Sequence, residues 1–457
     1  MIDLKNITRD RLGAGGLDWD TELETHAPKL EAARDAILSR RDDPSAWLGW
    51  MRLPDDTAML ESVEVLAKSL QGQFDDVIVL GIGGSSLGGL TVITALQHPY
   101  RAIQPDGDHL GARVHFVDNV DGDVISGLLE VLIPKRTLVN VISKSGTTTE
   151  TMAAYLLCKT WLQNAVGDAW ANHIVATTDV EKGILRPMVK KYGFKSLPVP
   201  ADVGGRYSVF CPVGLFPAAM AGLDVRAMMR GAARANAEFA KPAPLNDALK
   251  FALVNYLYAA HGKNMTVLMP YSTRLRFLPD WFAQLWAESL GKKVSRTGET
   301  VHAGTTPIKT IGTTDQHSQV QLYSEGPNDK LFSFVRVAAS STQTAIPNAE
   351  PTEPDMNYLG GKTFHTLLNA EQSATANALR ENGKPNLTIS LESVTEEPLA
   401  HLMQMMMYAT AVMGELWNID AFDQPGVELG KKFTYALMGR PGFEELAKEL
   451  RDAGVEG

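Results

Sequence analysis

V-I-V-L-G-I-G-G-S-S-L-G-G, residues 77–89, sets the reading of the whole chain. Val77, Ile78, Val79 and Leu80 form a short apolar run, three of them β-branched, which predicts a buried strand. Glycines then stand at 81, 83 and 84, followed by Ser85 and Ser86. Glycine lets the backbone reach φ > 0 and lets a ligand approach closely, and a serine can cap the helix that follows. A strand, a glycine turn and a helix start form an anion site, because unpaired N–H groups and the helix dipole point the same way. The dinucleotide fingerprint G-x-G-x-x-G breaks at Ser86, and the P-loop pattern breaks because no lysine follows the glycines. A purely structural βα turn is the bland alternative.

A second stretch carries the same signal. Ser143-Lys144-Ser145-Gly146-Thr147-Thr148-Thr149 follows a predicted strand at 137–142 and precedes a helical pattern over 148–165. Hydroxyls are small donors suited to phosphate oxygens, and the helix start adds its dipole. A capping and turn segment is the alternative for this stretch taken alone.

Between and beyond these turns the pattern alternates. Predicted strands at 77–80, 113–117, 137–142, 173–177 and 196–199 are separated by helices at 86–97, 122–132 and 148–165, with Asp121 as an N-cap. This reads as an α/β fold with a parallel sheet covered on both faces, and ligands bind at the carboxyl ends of such strands. After Lys241-Pro242-Ala243-Pro244 the logic returns. Helix 245–261, strand 265–269, helix 278–290, strand 331–337, helix 363–381 and strand 387–391 predict a second lobe without close internal sequence repeat. Residues 1–50 read as a leading arm, with Leu30, Ala33 and Ile37 on one helix face and Trp47 and Trp50 docking it. A second amphipathic helix is expected over 55–69. The helix at 397–417 carries methionines at helical spacing, which reads as core. The loop 338–360 is polar and shows no evident chemistry.

Bulk properties bound the function. The 457 residues allow two or three domains, and 44% hydrophobic with 21% charged residues is ordinary for a globular protein. The net charge of −10 argues against nucleic acid or an anionic membrane as partner. Cys158 and Cys211 lack disulfide or metal spacing. Residues 209–223 are apolar but too short and proline-bearing to span a bilayer, and the N-terminus has no signal-like run. The expected location is cytoplasmic.

Four further stretches hold chemistry. Gly204-Gly205-Arg206 puts one strong cation on a tight turn; a surface arginine is the alternative. Gln284 and Glu288 stand at i, i+4 on a largely apolar helix. Burial raises a carboxylate's pKa and suits it to act as a base, whereas the alternative is an exposed Glu paired with Lys292. His317 sits in a polar turn, where histidine suits proton transfer near neutral pH. Gln424 and Lys431 bracket a helix start with Pro425 in its first turn; a solvated lysine is the alternative.

Taken together, G-I-G-G-S at 81–85, S-K-S-G-T-T-x-E-T at 143–151, G-G-R-Y-S at 204–208, Q-L-x-x-E-S-x-G-K at 284–292, Q-H-S at 316–318 and Q-x-G-V-E-L-G-K at 424–431 resemble the glucose-6-phosphate isomerase family, in its bacterial form. The matches follow family order over about three quarters of the chain. Ser145-Gly146 stands where many relatives carry Thr-Phe, and Asp315 where glycine is common.

The resemblance implies two sugar-isomerase (SIS-type) lobes, each a mainly parallel αβα sandwich. It divides the chain into an arm at 1–50, lobes at 51–235 and 236–440, and a C-terminal helix at 441–457. It implies interconversion of glucose 6-phosphate and fructose 6-phosphate in glycolysis and gluconeogenesis, through ring opening and a cis-enediol, with no metal or organic cofactor. By motif match Gly84, Ser85, Ser143, Lys144, Ser145 and Thr148 would hold the phosphate, and Gln284 and Gln424 the sugar hydroxyls. Glu288 would carry the proton between C1 and C2, Arg206 would stabilise the enediolate, and His317 and Lys431 would open the ring. A homodimer is implied, with His317 supplied across the interface. Two rivals remain: an isomerase that also accepts mannose 6-phosphate, and a non-catalytic sugar-phosphate-binding regulator, which would need neither Glu288 nor Lys431.

Overall fold

The computed structural model describes residues 2–104 and 111–455. The first residue of the predicted arm and the last two of the predicted C-terminal helix lie outside them. In chain order the strands are β1 (Ile2–Asp3), β2 (Asp76–Leu80), β3 (Arg113–Val117), β4 (Thr137–Ile142), β5 (Ile174–Thr178), β6 (Lys195–Pro198), β7 (Met265–Pro270), β8 (Lys292–Val294), β9 (Thr300–Ala303), β10 (Thr306–Lys309), β11 (Lys330–Val337) and β12 (Asn386–Leu391). Two five-stranded sheets result. The first runs β3-β2-β4-β5-β6, parallel throughout; the second runs β10-β7-β11-β12-β1, parallel except for β1. A β8–β9 hairpin stands apart.

The apolar run of β2 is buried along its whole length because a parallel sheet is covered on both faces. Side chains alternate across it. Val77 and Val79 enter the large central core, while Ile78 and Leu80 enter a second core beneath the helix Thr149–Val166. β11 does the same, with Leu331 and Val335 in the central core and Phe332 and Phe334 in a third. The helix Glu396–Leu416 runs through the central core with Met403, Met406, Met407 and Met413 buried. A helix apolar on all sides is an interior helix, so its methionines are packing residues, as expected. Cys158 and Cys211 are buried free thiols, and burial pushes both up to about 12. Among the described residues no helix is long and apolar enough to cross a membrane.

Most predicted elements appear within one or two residues of their expected bounds, and Asp121 caps Gly122–Val131 by accepting the N–H groups of Asp123 and Val124. Leu30, Ala33 and Ile37 are buried on the helix Trp19–Ser39, and Trp50 stacks on Tyr207 at 5.1 Å. Trp47 does not dock. It takes a left-handed φ of 58° after a short turn, which throws its ring outward over the Lys144 ammonium at 4.4 Å. Several features were unforeseen, among them the β8–β9 hairpin, strand β10 and the helix Leu185–Tyr192. The arm's first strand, β1, closes the edge of the second sheet. The helix Val225–Phe239, capped by Asp224, fills a stretch to which no element was assigned. Neither Ser85 nor Ser86 caps the helix Leu87–Leu96 with its side chain; the Ser86 hydroxyl points instead to Asp118 at 3.4 Å.

Asp76, which opens β2, anchors the neighbouring strand. Its buried carboxylate accepts Arg113 Nε at 2.7 Å and Nη2 at 2.8 Å, and His115 Nε2 lies 2.8 Å away. Burial works to raise its pKa, but the hydrogen bonds and charges of Arg113 and His115 hold it at about 2. A depressed carboxylate stabilises the fold above its unfolded value of 3.8 and loses that contribution as pH falls toward 2. Asp76→Asn is therefore expected to cost about 2 kcal/mol at pH 7 and to flatten the acid limb of stability between about pH 4 and pH 2. Urea unfolding at pH 7 and pH 3 checks this; parallel losses in both proteins would contradict it.

Candidate active site

β2 and β4 are parallel neighbours, with Leu80 opposite Val141, so the turns that follow them leave the same sheet edge side by side. In the first turn Gly83 has φ +58°, and a Cβ there would lie 2.9 Å from Gln284 Nε2. Gly84 is packed still more closely: a Cβ on it would lie 2.2 Å from the Gly205 carbonyl carbon and 2.7 Å from the Arg206 nitrogen. The Ser208 hydroxyl ties this contact by donating to Gly84 O at 3.1 Å. The glycines thus serve the approach of the 204–206 turn as well as the bend after β2. Gly84→Ala must push the two turns apart, and a displacement of about 1 Å at a reacting site costs on the order of 10²-fold in rate. That loss in kcat/KM, with unchanged circular dichroism, is the expected outcome; wild-type kcat/KM would show that the contact is dispensable.

In the second turn Ser143 is buried and its hydroxyl is hydrogen-bonded to that of Thr148 at 3.0 Å. Ser145 is exposed, and its Oγ accepts the Thr147 N–H at 3.3 Å. Thr148 precedes the 18-residue helix Thr149–Val166, whose first N–H groups have no side-chain cap. Uncapped N–H groups and the dipole favour an anion here. The Lys144 side chain turns away from this cradle, because Nζ donates to Ala201 O at 2.7 Å and Val203 O at 3.0 Å. Burial holds its pKa below the usual lysine range. What Lys144 can offer the cradle is its backbone.

Arg206 is not the surface arginine of the bland reading. It is buried, and all its nitrogens are engaged. Nε donates to Ser289 Oγ at 2.8 Å, and Nη2 to Ala421 O at 2.7 Å and Asp423 O at 3.1 Å. Nη1 donates to Gln424 Oε1 at 2.8 Å and Glu288 Oε2 at 3.3 Å. Glu288 and Gln284 share a face of the helix Leu278–Leu290, as the i, i+4 spacing requires, and Gln284 Nε2 donates to Glu288 Oε1 at 3.0 Å. Lys292 does not reach the Glu288 carboxylate. Its Nζ donates to the backbone carbonyls of Glu288 and Asp423, each at 2.7 Å. Gln284 Oε1 is buried with no partner among the described residues, an orphan acceptor of the kind that a bound hydroxyl satisfies.

Arg206, Gln284, Glu288 and Gln424 thus converge beside the first turn. Two expected residues do not join them within this chain. Lys431 lies exposed on the helix Glu428–Leu437, paired with Glu428 at 2.8 Å. His317 ends the short turn Thr314–Gln316 of the second lobe, exposed and without a hydrogen bond to that group. Ser289 was missed as a site residue. Its hydroxyl accepts Arg206 Nε and is hydrogen-bonded to Tyr207 OH at 3.1 Å. It stands next to Glu288 in the Q-L-x-x-E-S stretch, where its neighbour alone drew notice.

A family model described as phosphoglucose isomerase matches residues 61–448. A glucose-6-phosphate isomerase of Rubrobacter xylanophilus is 44% identical over 446 residues, covering 97% of this chain and 100% of that protein. One from Carboxydothermus hydrogenoformans is 40% identical, covering 98% and 97%. Among solved structures, a hypothetical protein of Thermus thermophilus is similar with a TM-score of 0.86 at 41% identity, over 95% of this chain and 99% of that one. A glucose-6-phosphate isomerase of Chlamydia trachomatis has a TM-score of 0.73 at 26% identity, over 86% and 77%.

Proposed function

The chain belongs to the phosphoglucose isomerase family, and from that premise we propose how its own residues interconvert glucose 6-phosphate and fructose 6-phosphate, a reaction shared by glycolysis and gluconeogenesis. The observation that carries the reading is the Glu288 carboxylate held between Arg206 and Gln284 beside the glycine turn. Moving a hydrogen between adjacent carbons of an open-chain sugar needs one positioned base, a stabiliser for the enediolate oxygen and an acid–base pair to open the hemiacetal.

The phosphate sits in the cradle of Ser143, Ser145 and Thr148 at the uncapped helix start, with the backbones of Lys144, Gly84 and Ser85 alongside. Glu288 removes the proton from one carbon and returns it to the other. Arg206, fixed by five hydrogen bonds, presents positive charge without reorganising during the reaction. Gln284 and Gln424 hold sugar hydroxyls, and the unpartnered Gln284 Oε1 takes a hydroxyl proton as its missing donor. His317 and Lys431 act on the ring oxygen and O1. Exposed on its turn and without a hydrogen bond to the Glu288 group within the chain, His317 is supplied by the second subunit of a homodimer in this reading, with the cytoplasm as the site of action.

A coupled assay of fructose 6-phosphate to glucose 6-phosphate, with mannose 6-phosphate run beside it, tests the reading. Turnover of fructose 6-phosphate alone is expected. Turnover of both would move the assignment to the broader isomerase, and binding without turnover of either would move it to a regulator.

A further inference from the structure

The two parallel sheets repeat one strand order. β2 lies between β3 and β4, with β5 next; β7 lies between β10 and β11, with β12 next. The turn after β11 therefore corresponds to the proposed phosphate cradle after β4, and the correspondence extends to single atoms. Ser145 and Ser340 each stand three residues past the strand end, at Ile142 and Val337. Ser145 Oγ accepts the Thr147 N–H at 3.3 Å, and Ser340 Oγ accepts the Thr342 N–H at 3.3 Å. Ser143 N donates to Thr177 O of β5, and Ala338 N to Leu391 O of β12. Each turn leads into a helix of 18 residues, Thr149–Val166 and Phe364–Glu381. In the second lobe an excursion over 345–363 intervenes. Its ends are closed by the Ala345–Thr363 bridge and by Phe364 N donating to Thr344 O at 3.1 Å.

A cavity of about 710 Å³ opens over this second turn. Ser340, Ser341 and Thr342 line it, facing Ser272 and Arg274 from the turn after β7, with His365 at the start of the following helix. Where the first cradle's Lys144 ammonium is withdrawn, the second has a fixed cation at its wall. Arg274 Nε donates to Ala95 O at 2.6 Å and Nη2 to Leu96 O at 3.5 Å, while Nη1 makes no hydrogen bond among the described residues. No carboxylate is among the described lining residues. Hydroxyls, an anchored guanidinium and the carboxyl ends of parallel strands are the parts from which phosphate sites are built. The volume suits a phosphorylated sugar rather than a bare anion.

We propose that this cavity is a second phosphomonoester site, which binds a small phosphorylated sugar or polyol without converting it. It rests on reading the turn after β4 as the phosphate cradle. Binding without turnover follows from the lining, which offers no counterpart of Glu288.

Sorbitol 6-phosphate is the probe, since it has no carbonyl and cannot isomerise. Titration calorimetry on the full chain is expected to give two sites per chain. Ser145→Asp and Ser340→Asp each keep a side-chain acceptor for the turn's N–H but place a negative charge in one cradle. Each is expected to lose one site, and Ser340→Asp to keep wild-type kcat/KM at low substrate. One wild-type site, lost in Ser145→Asp, would overturn the second site and leave the first cradle standing. One wild-type site, lost only in Ser340→Asp, would uphold this cavity and remove the phosphate role from the turn after β4. Inorganic phosphate is expected to fill the second site about tenfold more weakly or less; equal affinity would overturn the sugar-phosphate assignment.

Discussion

Glu288→Gln is expected to lower kcat by about 10³- to 10⁴-fold, the range for removal of a positioned general base. Substrate-analogue affinity should stay within roughly threefold, because an interaction confined to the transition state leaves ground-state binding alone. Glutamine keeps the shape of the side chain and an oxygen for Arg206 Nη1, so the hydrogen bond at 3.3 Å survives while the proton acceptor is gone. The decisive readout is exchange of the substrate's C2 hydrogen with deuterated solvent. It should vanish together with isomerisation; exchange at the wild-type rate in the variant would assign the base elsewhere. The same variant tests the shared site. If His317 acts across a symmetric dimer, mixing inactive Glu288→Gln and His317→Ala chains after subunit exchange should restore roughly a quarter of wild-type activity, since only mixed dimers hold one intact site. No recovery from mixed dimers would place both residues in the same subunit's site.

Arg206→Ala is expected to cost both activity and stability. The guanidinium ties together the 204–206 turn, the helix carrying Glu288 and the segment 421–424, and it is buried. Removing it strands the Ala421 carbonyl, leaves that of Asp423 with Lys292 Nζ alone, and leaves Glu288 beside an empty volume. Truncating one partner of such a buried, charged network costs about 3–5 kcal/mol. Loss of its electrostatic stabilisation should lower kcat by about 10²- to 10³-fold. Arg206→Lys separates the two effects. A lysine keeps the charge but cannot span five acceptors, so kcat should remain strongly reduced while part of the stability returns. Thermal unfolding alongside steady-state kinetics reads both, and wild-type kcat in folded Arg206→Lys would remove the geometric role assigned to the guanidinium.

Much of this molecule was legible in the chain because the signals are local. The V-I-V-L run and the Gly and Ser/Thr turns declare strand, bend and helix within a dozen residues. The i, i+4 spacing alone aligned Gln284 with Glu288, and methionines recurring at helical spacing marked an interior helix. Each of these rests on backbone periodicity, which is a property of neighbouring residues.

Other features depend on partners far along the chain. Arg206 reads as a loop residue until residues 421–424, more than two hundred positions away, fold over it. Lys144 reads as a phosphate ligand until the carbonyls of 201 and 203 take its ammonium. The arm's first strand belongs to the second sheet because β12 offers an open edge, which no local pattern announces. The twin turns after β4 and β11 share only three hydroxyl residues, Ser145, Thr147 and Thr149 standing where Ser340, Thr342 and Thr344 stand, and a common place in the strand order. The sequence by itself determined which elements form and which faces they bury. Tertiary structure decided which side chains meet, because long polar side chains choose their partners by reach and by the open groups that other elements bring to them.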